Sequence, residues 1–219
     1  MTTEKMIIAG RKAKINNELF ELIVCNNMGY EHIVGSKDKA DAWYNKIERG
    51  ISIKRMSGKS TCVQSTTGKK LLELFDDVDE KLFDFIYALC HKTINLNEHK
   101  SKEHSLNKFY NNCESILNRV LSGHESEIRA HIIEMYNRKD DNLLARFYIS
   151  KMIQDFLDDG EIVISPGGTT IWFILDGDKI LHLQRKGSGP TENARSGLYF
   201  HIHKHPRMFK EWSINWENF

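Results

Sequence analysis

At 219 residues, 40% hydrophobic and 10% aromatic, the chain can bury a substantial core, and its composition is not that of a disordered or fibrous protein. It holds no run of about 18 apolar residues, and its first residues (MTTEKMIIAGRKAK) have an apolar stretch too short for a secretory h-region, so a soluble, cytoplasmic protein is expected. A net charge of +1 argues against a uniformly basic nucleic-acid binder, but the charge is clumped. Seven Lys or Arg and one acid lie between Lys46 and Lys70, six acids and one base between Glu73 and Asp84, and six bases, three histidines and one acid between Arg185 and Lys210. Two basic stretches separated by an acidic one suit a protein that turns one positive face to a polyanion. Cys25, Cys62, Cys90 and Cys113 are widely spaced and form no CxxC pair, which predicts reduced thiols rather than zinc ligands or staples.

In chain order, Ile15, Leu19, Leu22 and Ile23 recur at helical spacing, predicting an amphipathic helix from about Lys14 to Met28 that stops at Gly29. Short β-type runs follow at Asp41 to Tyr44, Ile51 to Arg55 and Cys62 to Ser65. Between Leu71 and Asp158 the pattern lengthens to helical periods, read as helices over Leu71 to His91, Leu106 to Leu121, Glu125 to Tyr136 and Asn142 to Leu157, with no proline to break them. Strands return at Ile162 to Ser165 and Thr170 to Leu175. Asp176-Gly177, followed by the run from Lys179 to Arg185, is a hairpin signal because a tight two-residue turn needs positive φ. Leu198 to His203 can add another strand to that sheet.

Metal-dependent hydrolysis of a phosphodiester needs oxygen ligands for Mg²⁺ and a positive group near the attacking water, gathered at one phosphate. Asp41 heads one strand, and Ser52-Ile53-Lys54 lies on the next. Side chains at i and i+2 share a face, so Ser52 and Lys54 are expected toward a cleft and Ile51 and Ile53 toward the core.

The run Ser52 to Ser60 (SIKRMSGKS), followed by Val63 and Gln64, resembles the PD-(D/E)XK nuclease superfamily, and within it restriction enzymes carrying S-I-K-x-x-S-G-x-S. In the broader superfamily the residue two before the lysine is Asp or Glu. Here it is Ser52, a poor Mg²⁺ ligand beside a carboxylate, so a compensating acid is sought in the first helix. Glu18 borders the stripe of Ile15, Leu19 and Leu22, whereas Glu21 sits round toward solvent on a helical wheel. The spacing of Glu18 to Gly29-Tyr30 is also similar to that of Mrr-type nucleases, in which a helix glutamate precedes a Gly-Tyr pair and then the metal-binding aspartate. The resemblance implies Mg²⁺ held by Asp41 and Glu18 and a catalytic set of Asp41, Ser52, Lys54 and Glu18. Asp38 competes with Asp41 for its role, and Glu21 with Glu18.

Leu183 to Gly189 (LQRKGSG) resembles L-Q-R-K-x-G segments near the carboxy terminus of several restriction enzymes. A two-stranded ribbon fits the major groove, where Gln and Arg make bidentate contacts to adenine and guanine. Gln184 and Arg185 are therefore candidates for base readout, and Lys186 and Ser188 for phosphate contacts. Arg55, Ser57, Lys59 and Ser60 follow the candidate lysine and would track the backbone beside the cut, with Gln64 reaching toward bases. His201 and His203 alternate along a strand, with His205 beyond. Three such histidines can bind a transition metal, although polar strand residues are the commoner case. Gly167-Gly168 leads into a strand instead of a helix and so fails as a phosphate loop.

The expectation is one α/β nuclease domain over 1–219, a PD-(D/E)XK-like mixed sheet flanked by helices. Within it, 1–70 is read as the catalytic core segment, 71–158 as a helical insertion for dimerisation or DNA clamping, and 159–219 as a β-hairpin recognition segment. The expected activity is Type II restriction cleavage of specific double-stranded DNA sequences in host defence, by a homodimer on a palindrome. A repair or structure-selective nuclease and a non-catalytic DNA-binding protein are the alternatives.

Overall fold

The computed structural model describes residues 3–34, 38–91, 94–185 and 197–216, with the side chains of the first helix from residue 12 onward. That helix, α1 (Thr3–Met28), ends at Gly29, whose φ of 70° turns the chain into β1 (Glu31–His32). Then come β2 (Ala42–Tyr44), β3 (Arg49–Met56) and β4 (Ser60–Thr67). Helices α2 (Gly68–Leu72), α3 (Glu80–Cys90), α4 (Lys102–Asn111) and α5 (Cys113–Leu121) lead to β5 (Ile132–Asn137), β6 (Leu143–Tyr148) and α6 (Ile149–Asp159). The last elements are β7 (Glu161–Ile164), β8 (Thr170–Leu175), β9 (Asp178–Arg185) and β10 (Gly197–His203).

The strands form two five-stranded sheets. The first, in the order β1-β2-β3-β5-β6, is mixed: β3 and β5 run parallel and the other pairs antiparallel. The second, in the order β4-β10-β9-β8-β7, is antiparallel throughout. Because β3 belongs to one sheet and β4 to the other, the turn between them joins the two. Along β8, β9 and β10 one face is fully buried (Ile171, Phe173, Leu183, Leu198, Phe200, Ile202), as alternation requires of a sheet covered on one side. This face, helices α3, α5 and α6, and one face of the first sheet (Met56, Ile133, Met135, Phe147) make a continuous core. A smaller core on the other face of the first sheet packs Phe20, Val24 and Cys25 of α1 against Ile51, Ile53, Ile132 and Tyr136.

The fold is the expected mixed α/β class, and Asp176 and Gly177 adopt φ of 53° and 80° in the β8–β9 turn, the geometry that the Asp-Gly signal anticipates. Three local readings need correction. First, the segment from Glu125 to Tyr136 is not a helix but a loop leading into β5 and most of β5 itself, and Asn142 to Leu157 is β6 followed by α6. β5 is buried on both faces, and a continuous apolar run of that kind carries no period-2 signature to separate it from a buried helix. Second, Leu71 to His91 divides into α2 and α3, with Asp79 accepting from Leu82 N–H to start the second, and Leu106 to Leu121 divides at Asn112 into α4 and α5. Third, the α1 stripe Ile15, Leu19, Leu22 and Ile23 is 40–62% exposed, and the helix docks instead through Phe20, Val24 and Cys25. No helix among the described residues is long and apolar enough to cross a membrane.

Candidate active site

β2 covers only the first part of β3, from Arg49 to Ile51, so the edge of β3 beyond that point is open. Asp41, the residue before β2, fills the gap. Its N–H donates to Ile51 O at 2.8 Å, and its Oδ2 accepts from Ile53 N–H at 2.7 Å, Ser52 Oγ at 3.1 Å and Lys54 Nζ at 2.9 Å. All three side-chain bonds fall on one oxygen. Among the described residues Oδ1 takes none, which leaves it available to a ligand. Asp41 and Lys54 are each 19% exposed, a pair that solvent still reaches.

The segment that presents Asp41 is clamped from behind. Asp38 Oδ1 accepts from Ile128 N–H at 2.8 Å, and the N–H groups of Lys39 and Ala40 share Ile128 O. Gly50 is required here, since a Cβ on it would lie 2.1 Å from Arg129 O and 2.9 Å from Ala40 Cβ. Asp38, the competitor for the Asp41 role, is thus committed to holding the loop.

α1 brings Glu21 to the same place. It is half-buried on the docking side of the helix, beside Cys25, close enough to Asp41 and Lys54 for both charges to act on it. Burial, and after it the Asp41 carboxylate, push the Glu21 carboxyl up to about 7, with Lys54 pulling the other way. Glu18 is 56% exposed and pairs with Lys14 of its own helix at 3.5 Å. The wheel centred on Ile15, Leu19 and Leu22 favours Glu18, but the helix docks through its other side, so Glu21 is the acid turned toward Asp41. Ser52 is fully buried and spends its hydroxyl on Asp41, which makes it a positioning residue for that carboxylate.

Lys39 was not singled out in the sequence. Its Nζ donates to Val63 O at 2.7 Å and to Gln64 Oε1 at 3.1 Å, tying the Asp41 loop to β4 of the second sheet. Burial, then repulsion from Lys54, lower its pKa to about 7. Glu134 was missed as well. Fully buried on β5, it accepts from Tyr30 Oη at 2.7 Å, Tyr136 Oη at 2.6 Å and Arg146 Nε at 2.5 Å, and Trp216 Nε1 donates to Tyr30 Oη at 2.7 Å. With its own pairing complete inside the core, Glu134 braces the first sheet; what remains for a metal is Asp41 with Glu21.

The candidate DNA contacts are dispersed. Arg55 points away from Lys54, its guanidinium 4.4 Å from the centre of the Phe20 ring and 2.7 Å from Asp141. Ser57 and Lys59 are exposed in the β3–β4 turn, and Ser60 starts β4. Gln64 is held by Lys39. A broad open groove beside it is lined by the bases Lys70, Arg119 and Arg129 and by the acids Glu73, Glu114 and Glu125, so its charge is balanced. Gln184 Nε2 lies 3.3 Å from His201 Nε2, and Arg185 is half-buried at the end of β9. Lys186 and Ser188 lie outside the described residues.

The histidines divide differently from the expectation. His205 is buried against Trp212, with its Nε2 3.2 Å from Leu175 O. His201 and His203 meet His182 of β9: His182 Nδ1 and His203 Nε2 are 2.5 Å apart, and the His182 and His201 rings stack at 4.8 Å. Burial, and after it neighbouring positive charge, push His182 and His203 down to about 4, so both rings are neutral at physiological pH. The contact occupies one ring nitrogen of each histidine. No group of three or more His, Cys, Asp or Glu among the described residues is arranged to hold a metal ion.

The donor set at Asp41 suits a hard cation. Asp41, with the Glu21 carboxyl near enough to feel its charge, offers oxygen ligands of the kind Mg²⁺ takes, since Mg²⁺ is commonly held by one or two carboxylates with substrate phosphate and water completing the shell.

No family model and no curated protein matches the sequence. Among solved structures, the chain is similar to restriction endonuclease MspI in complex with its cognate DNA, with a TM-score of 0.49 and 13% identity. That match covers 78% of this chain and 66% of the other.

Proposed function

We propose that this protein is a Mg²⁺-dependent endonuclease of double-stranded DNA, and within that class a Type II restriction enzyme acting on unmethylated foreign DNA. The observation that carries the reading is the Asp41–Lys54 pair at the open edge of β3, with the half-buried Glu21 of α1 near enough to feel both charges. Asp41, through its unbonded Oδ1, and Glu21 are the residues that would hold Mg²⁺. When bound, the ion polarises a phosphate oxygen and lowers the pKa of a water from about 15.7 toward neutrality. Lys54, an ammonium anchored on Asp41, orients the water and offsets charge developing on the phosphate. Ser52 and Ile53 N–H fix the Asp41 rotamer. The exposed β3–β4 turn, with Ser57 and Lys59, follows Lys54 along the chain and would supply phosphate contacts beside the site.

The test is digestion of a long unmethylated viral DNA with Mg²⁺, with EDTA and Lys54→Ala as controls. Discrete bands that vanish in both controls are expected, with Lys54→Ala keeping its DNA affinity while cleavage falls by orders of magnitude. Smears in place of bands point to a structure-selective nuclease. Folded protein that binds DNA but cuts nothing across several divalent metals is a binding protein, and the proposal fails.

A further inference from the structure

The two basic stretches of the sequence are far apart along the chain, but the fold sets a member of each side by side. Lys59 lies in the β3–β4 turn, and Lys204 follows β10, whose His203 is in register with Ser60. Lys204 N–H donates to Lys59 O at 3.1 Å, which fixes the two backbones together. The β5–β6 turn reaches the same place from the first sheet. Met56 is in register with Asn137, so Arg138 stands level with Ser57, and Arg138 N–H donates to Met56 O at 2.8 Å. This turn is itself bonded in place: Asn137 accepts from Lys139 N–H on its side chain at 3.0 Å and from Asp141 N–H on its backbone at 2.8 Å.

Two acids share this corner with the bases. Asp141 is spent on Arg55 at 2.7 Å, and Asp140 accepts from Asn142 N–H at 3.2 Å. Lys59, Arg138, Lys139 and Lys204 are exposed, and among the described residues none of the four has an ion-pair partner. Like charges gathered from three segments raise the local potential, and a polyanion is the partner that lowers it. We propose that Lys59, Arg138, Lys139 and Lys204 form a seat for the sugar-phosphate backbone of duplex DNA to one side of the cut. The inference rests on the nuclease reading, which puts the scissile phosphate at Lys54. Met56, where the turn begins, is two residues beyond Lys54, about 7 Å along β3. A duplex carries one negative charge per about 1.7 Å of its axis, so one held at Lys54 brings further phosphates past these turns. Lysines and arginines on exposed turns neutralise phosphates and position the duplex without reading its sequence.

Fluorescence anisotropy of the full chain on duplexes of unrelated sequence tests it, in EDTA so that nothing is cut, as salt is raised from about 50 to 200 mM. Each phosphate neutralised contributes about 0.9 to the slope of log affinity against log salt. A variant carrying Arg138→Gln, Lys139→Gln and Lys204→Gln is expected to lose about 2.7 of that slope, with affinity falling equally on every sequence. All three positions are exposed, and circular dichroism checks that the fold is kept. Lys12→Gln, Lys81→Gln and Lys210→Gln together remove the same charge from exposed positions on other elements, and are expected to leave the slope as it is. Arg138→Lys, Lys139→Arg and Lys204→Arg together are expected to keep it too. An unchanged slope in the first variant, or an equal loss in the second, overturns the proposal and leaves the nuclease reading standing. No duplex binding by the unmodified protein overturns both.

Discussion

Asp41 Oδ2 gathers three donors, and only two of them can be removed by substitution. Ser52→Ala deletes a hydrogen bond to a charged acceptor, an interaction worth about 1.5–3 kcal/mol, at a site where the smaller side chain fits without strain. The expected outcome is a cleavage rate about 10- to 100-fold lower with unchanged DNA affinity, read by single-turnover kinetics and gel shift. Glu21 makes the opposite kind of prediction. Its folded pKa of about 7 lies above that of an ordinary glutamate, so its contribution to stability is fully present below about pH 4.5 and is lost as pH rises through 7. Discounted for its half-exposure, the penalty above pH 7 is about 1–2 kcal/mol. Glu21→Gln is therefore expected to raise the melting temperature of metal-free protein by a few degrees at pH 8 and much less at pH 5. Added Mg²⁺ is expected to stabilise the unmodified protein and not the variant; equal melting curves at both pH values would count against a crowded carboxylate. At this scale the sequence was legible where neighbours along a strand decide direction, as at Ser52 and Lys54. It was not legible at Glu18 and Glu21, because a helix apolar on two sides does not declare which side docks.

Among the elements, β5 determines how the first sheet is built, since it runs parallel to β3 and pairs with it from Ile51↔Ile132 to Met56↔Asn137. It also carries Glu134, where strand β6, the turn after α1 and the Trp216 segment converge through Arg146, Tyr30 and Tyr136. Breaking a buried charge pair by removing one partner costs about 3–5 kcal/mol. Glu134→Gln is expected to lower stability by about that amount in urea melts while the refolded protein keeps its Mg²⁺ response; a change under 1 kcal/mol would show that the network contributes little. The β8–β9 hairpin was legible because its Asp-Gly turn imposes a backbone geometry that few other residues accept. β5 was not, because a strand covered on both faces loses the alternation that marks strands covered on one. The helical reading of residues 125–157 follows from that loss.

For the whole molecule, the candidate residues fall on two sheets. Ser52 and Lys54 lie on the first with Asp41 just before its strand β2, and the second carries Gln64, Gln184 and the histidine pair. Clumped charge in the sequence pointed to a face for a polyanion, but only the folded chain shows that the β3–β4 turn joins the sheets and that Lys39 crosses between them. Lys39 holds the Val63 carbonyl and the Gln64 amide with the same ammonium group, two residues before Asp41. Gln64→Ala cuts one of those two holds. The expected outcome is a larger loss of rate on the preferred sequence than on near-matches, measured as the ratio of kcat/KM values; a uniform loss would mean that Gln64 only supports the fold.

The Lys39 bridge makes the two sheets mechanically dependent on each other at one point. A displacement of the Val63 carbonyl or of the Gln64 side chain is carried through a single lysine to the backbone two residues before Asp41, so the position of that carboxylate depends on a strand of the other sheet.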